Sequence, residues 1–127
     1  MNPAIKSIVF RKSRNVFNKD KRTDGFRLNY TNGALIEASG ITVSDYMPVI
    51  PETNYYRNKK YVVNTDNYCF FNSDKVFVSG VGADPAYINL ISIPASVAFI
   101  RTALAIADID TYQLTQGSAE ITYEQCF

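Results

Sequence analysis

The sequence predicts an all-β domain, an antiparallel β-sandwich or jelly roll. Three observations lead there. Apolar and alternating runs are short and stop at turn residues, the pattern of strands and not of long helices. About nine or ten such runs follow one another at close spacing, which suits two packed sheets. The chain has 127 residues, 46% hydrophobic and 20% charged, which is one domain's length and an ordinary globular composition.

In chain order, Ile5 to Phe10 is a β-branched run, and Arg11 to Gly25 reads as a polar, basic loop. Phe26 to Tyr30 extends toward Asn32-Gly33, the dipeptide of a tight hairpin turn. Leu35 to Ala38 and Ile41 to Tyr46 flank a second expected turn at Ser39-Gly40. Pro48 and Pro51 bracket Val49-Ile50 and place a bend at a sheet edge. Asn54 to Tyr61 carries Arg57-Asn58-Lys59-Lys60 as a polar hairpin tip. Asn67 to Phe71 and Val76 to Ser79 are strands joined by a turn at Asn72-Ser73-Asp74-Lys75. Ala86 to Ile93 ends at Pro94. Val97 to Ile106 is long enough for a helix and rich in alanine. The β-branched and aromatic residues at its start favour a strand. Tyr112 to Leu114 and Ile121 to Tyr123 close the pattern. The expected core comprises Phe17, Val43, Val49, Phe70, Phe77, Ile91, Phe99 and Leu114.

Composition excludes several chemistries. There is no histidine, so Ser-His-Asp and Cys-His catalysis and His-ligated zinc are ruled out. There is no tryptophan, and nine Tyr and eight Phe must supply any aromatic recognition. The net charge is +1, which predicts no general attraction to nucleic acid. The charge is unevenly placed. Residues 1–27 carry eight basic and two acidic side chains, and the other hundred residues sum to −5. The N-terminal stretch reads as a solvated basic arm or one that docks on an acidic partner, with residues 1–13 outside a single domain over 14–127. Cys69 lies in the apolar run Tyr68 to Phe71 and reads as buried, and Cys126 reads as exposed. Two free thiols suggest folding in a reducing cytosol. No run is long and apolar enough to span a membrane, and Met1 to Lys6 lacks the apolar core of a signal peptide.

No motif supplies an activated catalytic group. Asp108 and Asp110 share a short polar bend, and Asp24, Asp66 and Asp74 sit in turn-rich stretches, where turn roles are expected. Gly80-Val81-Gly82 lacks the spacing and the helix of a phosphate loop. The reading is therefore non-enzymatic, with no cofactor and no metal. Arg101 stands out. It interrupts an apolar strand, shares a face with residues 99 and 103, and must meet a carboxylate, carbonyls or a polar ligand. Tyrosine pairs an apolar body with a polar tip, as sugar recognition requires. The candidate binding residues are Arg101 with Tyr68 or Tyr87, and Tyr56 with Arg57 in the basic hairpin that also holds Tyr55, Lys59, Lys60 and Tyr61. The competing role for Arg101 is an internal pair with Asp45 or Asp108. Most of the tyrosines have packing as their competing role.

An ordered set of runs carries a family resemblance. They are Asn15-Val16-Phe17-Asn18-Lys19, Thr23-Asp24-Gly25-Phe26, Ser44-Asp45-Tyr46-Met47-Pro48-Val49 and Pro51-Glu52-Thr53-Asn54-Tyr55. Further on come Phe70-Phe71-Asn72-Ser73-Asp74-Lys75-Val76-Phe77-Val78-Ser79-Gly80, Ile93-Pro94-Ala95-Ser96-Val97-Ala98-Phe99-Ile100-Arg101 and Ala107-Asp108-Ile109-Asp110-Thr111-Tyr112-Gln113-Leu114. Together they resemble the carbohydrate-binding-module-like β-sandwich of bacteriophage tail fibres and tailspikes, over about residues 14–124. The resemblance implies a galactose-binding-like jelly roll and attachment to a bacterial surface polysaccharide. It also implies a place in the virion tail after synthesis in the host cytoplasm, and a homotrimer through the full-length fibre. Neither nucleic-acid binding nor membrane insertion is implied. A structural module that joins or trimerises the fibre is the alternative, because a recurrent fold unit does not determine its ligand.

Overall fold

The structure, a computed structural model, describes residues 15–57, 67–82 and 90–117. Among these the chain is almost entirely β. The strands are β1 (Arg22–Leu28), β2 (Leu35–Ser44), β3 (Met47–Pro48), β4 (Asn54–Arg57), β5 (Tyr68–Phe71), β6 (Phe77–Val81), β7 (Leu90–Ser92), β8 (Phe99–Ala105) and β9 (Leu114–Gln116). A single 3₁₀ turn, Ile106–Asp108, follows β8. The larger sheet runs β1-β2-β8-β5-β6, with β3 also on β8; the smaller runs β7-β4-β9. Every pairing is antiparallel.

The main core lies where the two sheets meet. Ile100 and Leu104 of β8 and Phe70 of β5 pack there with Tyr55, Ile91 and Leu114 of the smaller sheet. The chain on either side adds Phe17 and Tyr112, whose rings meet edge to face at 5.0 Å. Period two sends the alternate residues of the same strands to a second cluster. Cys69, Phe71 and Ala103 are buried there with Leu28 and Val43, and Tyr46, Phe77 and Phe99 line its rim. Of the expected core, six residues are buried, and Phe77 and Phe99 occupy this half-buried rim.

The turn between β1 and β2 returns over the far edge of the larger sheet. Asn29 and Asn32 tie this turn by accepting from the Thr31 and Ala34 N–H groups at 3.0 and 2.9 Å. Gly33 takes φ +77 at the expected Asn-Gly position. Asn67 Nδ2 donates to the Leu28 carbonyl at 2.7 Å, and Tyr30 lies against Gly80 and Gly82. The larger sheet therefore coils around its second cluster. The β5–β6 turn is the one expected from sequence. The Asn72 carboxamide oxygen accepts from the N–H groups of Asp74 and Val76 at 2.9 and 3.1 Å.

Several expectations are corrected. Ser39-Gly40 is no turn: β2 runs straight through it. The register shifts from Asp24↔Thr42 to Phe26↔Glu37, which makes a bulge opposite Gly25, with Gly25 and Gly40 at φ +84 and +78. Arg22 to Gly25 is strand and not loop, because β2 is long enough to pair with it. The strand favoured over a helix in this part of the sequence does form, over 99–105, and β8 has partners along both edges. Arg57 ends β4 as a buried residue and is no solvated hairpin tip. Ile5 to Phe10, Lys59 to Tyr61, Tyr87, Ile121 to Tyr123 and Cys126 lie outside the described residues. No helix among the described residues is long and apolar enough to cross a membrane.

Cys69 is fully buried, and burial pushes its thiol up to about 11 against the opposing pull of the Arg101 charge. The folded state then binds a proton that the unfolded chain, with its ordinary value of 9.0, has released. That contribution to stability is complete below pH 9 and is lost as pH rises to about 11. The urea midpoint of Cys126→Ser should fall more steeply across this window than that of Cys126→Ser/Cys69→Ala. Equal slopes would show that the thiol is not held neutral. At pH 8 the native Cys126→Ser chain should be inert to a thiol reagent and react once unfolded.

Candidate functional site

Arg101 sits in the middle of the larger sheet, on β8, opposite an interruption in the neighbouring ladder. β2 pairs with β8 as far as Val43↔Ala103, and β3 resumes at Met47↔Ile100. Three residues, Ser44 to Tyr46, therefore face two, Arg101 and Thr102. Such a bulge re-aims side chains that a regular strand would point straight out. Its side chains tie down its own backbone and that of β8. The Ser44 hydroxyl accepts from the Thr102 N–H and donates to the Asp45 carbonyl, both at 2.9 Å. The Asp45 carboxylate accepts from the Tyr46 N–H at 2.8 Å.

The bulge grips Arg101 from two sides. Arg101 Nε donates to the Ser44 carbonyl at 2.9 Å, and the guanidinium carbon lies 4.7 Å from the Tyr46 ring centroid. Lys75 Nζ lies 5.2 Å from the same ring and 5.6 Å from Phe99. The Tyr46 ring is itself fixed edge to face on Phe71 at 4.9 Å. Of the partners expected for Arg101, the structure shows one. Arg101 meets a carbonyl, and among the described residues no ion pair joins it to Asp45 or Asp108.

A tight turn forms the facing wall. Asn18 holds it by accepting from the Asp20 N–H through its side chain and from the Lys21 N–H through its carbonyl. The Asp45 N–H donates to the Lys21 carbonyl at 3.0 Å, which joins turn and bulge. Lys19 Nζ reaches Asp110 at 3.0 Å, and Arg22 reaches Asp24 at 2.8 Å while donating to the Lys19 carbonyl. The Thr42 hydroxyl and the Arg22 guanidinium beside Asp24 hold its carboxyl below the usual range. Between turn and bulge opens a shallow cleft of about 240 Å³, lined by Asp20, Lys21, Arg22, Thr23, Asp45 and Arg101. Arg22 is occupied by Asp24. Among the described residues, neither terminal nitrogen of Arg101 has a hydrogen-bond partner, and Lys21, Asp20 and Asp45 enter no ion pair.

The other sequence candidates do not converge on this cleft. Cys69 is opposite Arg101 in register, so Tyr68 points to the other face of the sheet, toward the main core. There it meets Arg57, whose guanidinium lies 5.4 Å from its ring centroid. Tyr56 alternates with the buried Tyr55 and Arg57 and so lies on the outer side of the smaller sheet. Tyr87 is outside the described residues. The aromatic ring beside Arg101 is Tyr46, which sequence reasoning did not select. The signal was available next door, at Asp45, but the bulge that brings residues 44–46 to Arg101 leaves no mark in an alternation pattern. Among the described residues, no three acidic or sulfur side chains come together as metal ligands. No family model matches the chain, and neither a curated protein nor a solved structure matches it.

Proposed function

We propose that the chain is a non-catalytic carbohydrate-binding domain, carried by a phage tail fibre or tailspike, that holds a bacterial surface polysaccharide at the Arg101 cleft. The observation that carries this reading is a guanidinium fixed by its Nε and by Tyr46, with its other N–H groups presented to an open polar cleft. A planar fork of donors suits a carboxylate or vicinal hydroxyls. Asp20 and Asp45 add acceptors for hydroxyl groups. Both are exposed, whereas a glycosidase needs a desolvated acid whose proton is retained near neutral pH, and this favours binding over hydrolysis. The phage setting rests on the ordered sequence runs.

The test is a glycan array of bacterial polysaccharides, probed with the wild-type chain and with Arg101→Lys. Retention of at least one glycan by the wild type, with loss in the variant, is expected. An array on which nothing is retained removes the binding reading and leaves the assembly module. One observation favours that alternative: β6 is an edge of the larger sheet, and Val78 within it and Val76 just before it are exposed.

A further inference from the structure

We propose that the ligand of the Arg101 cleft is a carboxylated saccharide, with the sugar carboxylate on the Arg101 terminal nitrogens and within reach of the Lys21 charge. This inference rests on the carbohydrate-binding reading and narrows it to one chemical class.

The cleft contains two cations without an ion-pair partner among the described residues, Arg101 and Lys21, and two such carboxylates, Asp20 and Asp45. A neutral sugar would satisfy the acids with its hydroxyl protons and leave the guanidinium without a counter-charge. A purely anionic group would satisfy the cations and face the acids. A ring bearing one carboxylate and several hydroxyls satisfies both sets.

Charge separates a carboxylate from a phosphate monoester. Arg101 is tethered through Nε, so its remaining edge offers parallel N–H groups in one plane, the match for a planar carboxylate. A tetrahedral phosphate ester can place two oxygens in that plane as well. But it can carry a second negative charge toward Asp20 and Asp45. Lys21 adds attraction without directional demand, because an ammonium is a compact charge on a flexible stem. The cleft volume of about 240 Å³ is below the range of about 300 Å³ and upward typical of drug-sized sites, so it fits a single acidic unit within a longer chain.

The experiment is calorimetric titration of the full chain with matched oligosaccharides. The set comprises an α-1,4-linked galacturonate oligomer, its methyl ester and its carboxyl-reduced galactose form, together with hyaluronan and sialyl oligosaccharides and a sulfated dextran fragment. At least one carboxylated oligosaccharide should bind. Esterifying or reducing its carboxyl should weaken binding at least tenfold, and Lys21→Gln should weaken it severalfold with an unchanged melting temperature. Arg101→Gln should abolish it. Lys21 is an exposed residue of a turn, so its variant tests the inference even where an Arg101 variant folds poorly. Equal binding of acid and neutral forms overturns the inference and leaves the saccharide site standing. So does binding of a neutral glycan while every carboxylated probe fails. Sulfated dextran binding as tightly as the carboxylates overturns the carboxylate assignment. Failure of every saccharide overturns the inference and the proposed function together.

Discussion

Replacing Gly80 with alanine should destabilise the fold by about 3 kcal/mol and lower the melting temperature by roughly 10–15 °C. The β1–β2 turn closes over β6 at this glycine. A Cβ placed there would fall onto the Tyr30 carbonyl oxygen, with the carbonyl carbon and Cα at only 2.8 and 2.9 Å. All three are backbone atoms, so no side-chain rotation relieves the clash. The turn must lift, and the second cluster, capped by the Asn67 and Cys69 bonds to the Leu28 and Asn29 carbonyls, opens with it. Gly82 is the internal control. A Cβ there would meet only the half-exposed Tyr30 ring, at 2.7 Å, and that ring can swing into solvent. Gly82→Ala should cost under about 1 kcal/mol. Equal melting temperatures for the two variants would show that the turn does not seal the sheet.

Asn15→Leu should cost about 2–5 kcal/mol, read as a lower urea midpoint at unchanged slope. Asn15 is buried, and its carboxamide oxygen accepts from the N–H groups of Phe17 and Leu114, both at 3.0 Å. Leucine has nearly the same shape and no acceptor, so two buried donors lose their partner. Leaving a buried donor unsatisfied costs about 1–3 kcal/mol each. The latch also holds Phe17 against Tyr112 in the main core and sets Asn15 opposite Thr115 of β9. A loss below about 1 kcal/mol would mean that water replaces the carboxamide and the segment is only loosely docked.

Strand identity and most turns were legible in the sequence because they follow from local chemistry. The Asn72 turn and the Asn32-Gly33 turn need only residues that satisfy nearby backbone groups, and both form where expected. The alternation along Phe99 to Leu104 divides the two clusters as period two requires. The irregularities were illegible. Gly40 signals a positive φ in either a turn or a bulge, and only the length of β1 opposite it decides between them. Arg57 looked solvent-facing beside two lysines, yet the pairing of β4 with β7 and β9 turns it inward with Tyr55. The same limit governed the candidate site. Arg101 was identifiable as a charge in an apolar strand. Its neighbours Tyr46, Asp20 and Lys21 arrive through a bulge and a turn far away in sequence, which no local pattern encodes.

The most direct test of the Arg101 site is Arg101→Lys, measured for both melting temperature and glycan binding per folded molecule. Lysine keeps the charge and loses the planar fork and the tether from Nε to the Ser44 carbonyl. Arg101 is only partly buried, and the bulge keeps its other hydrogen bonds through Ser44 and Asp45. The expected result is a melting temperature lowered by no more than a few degrees, with affinity for the retained glycan reduced at least tenfold. A sharp fall in melting temperature with binding per folded molecule unchanged would contradict the site and make Arg101 a structural residue alone.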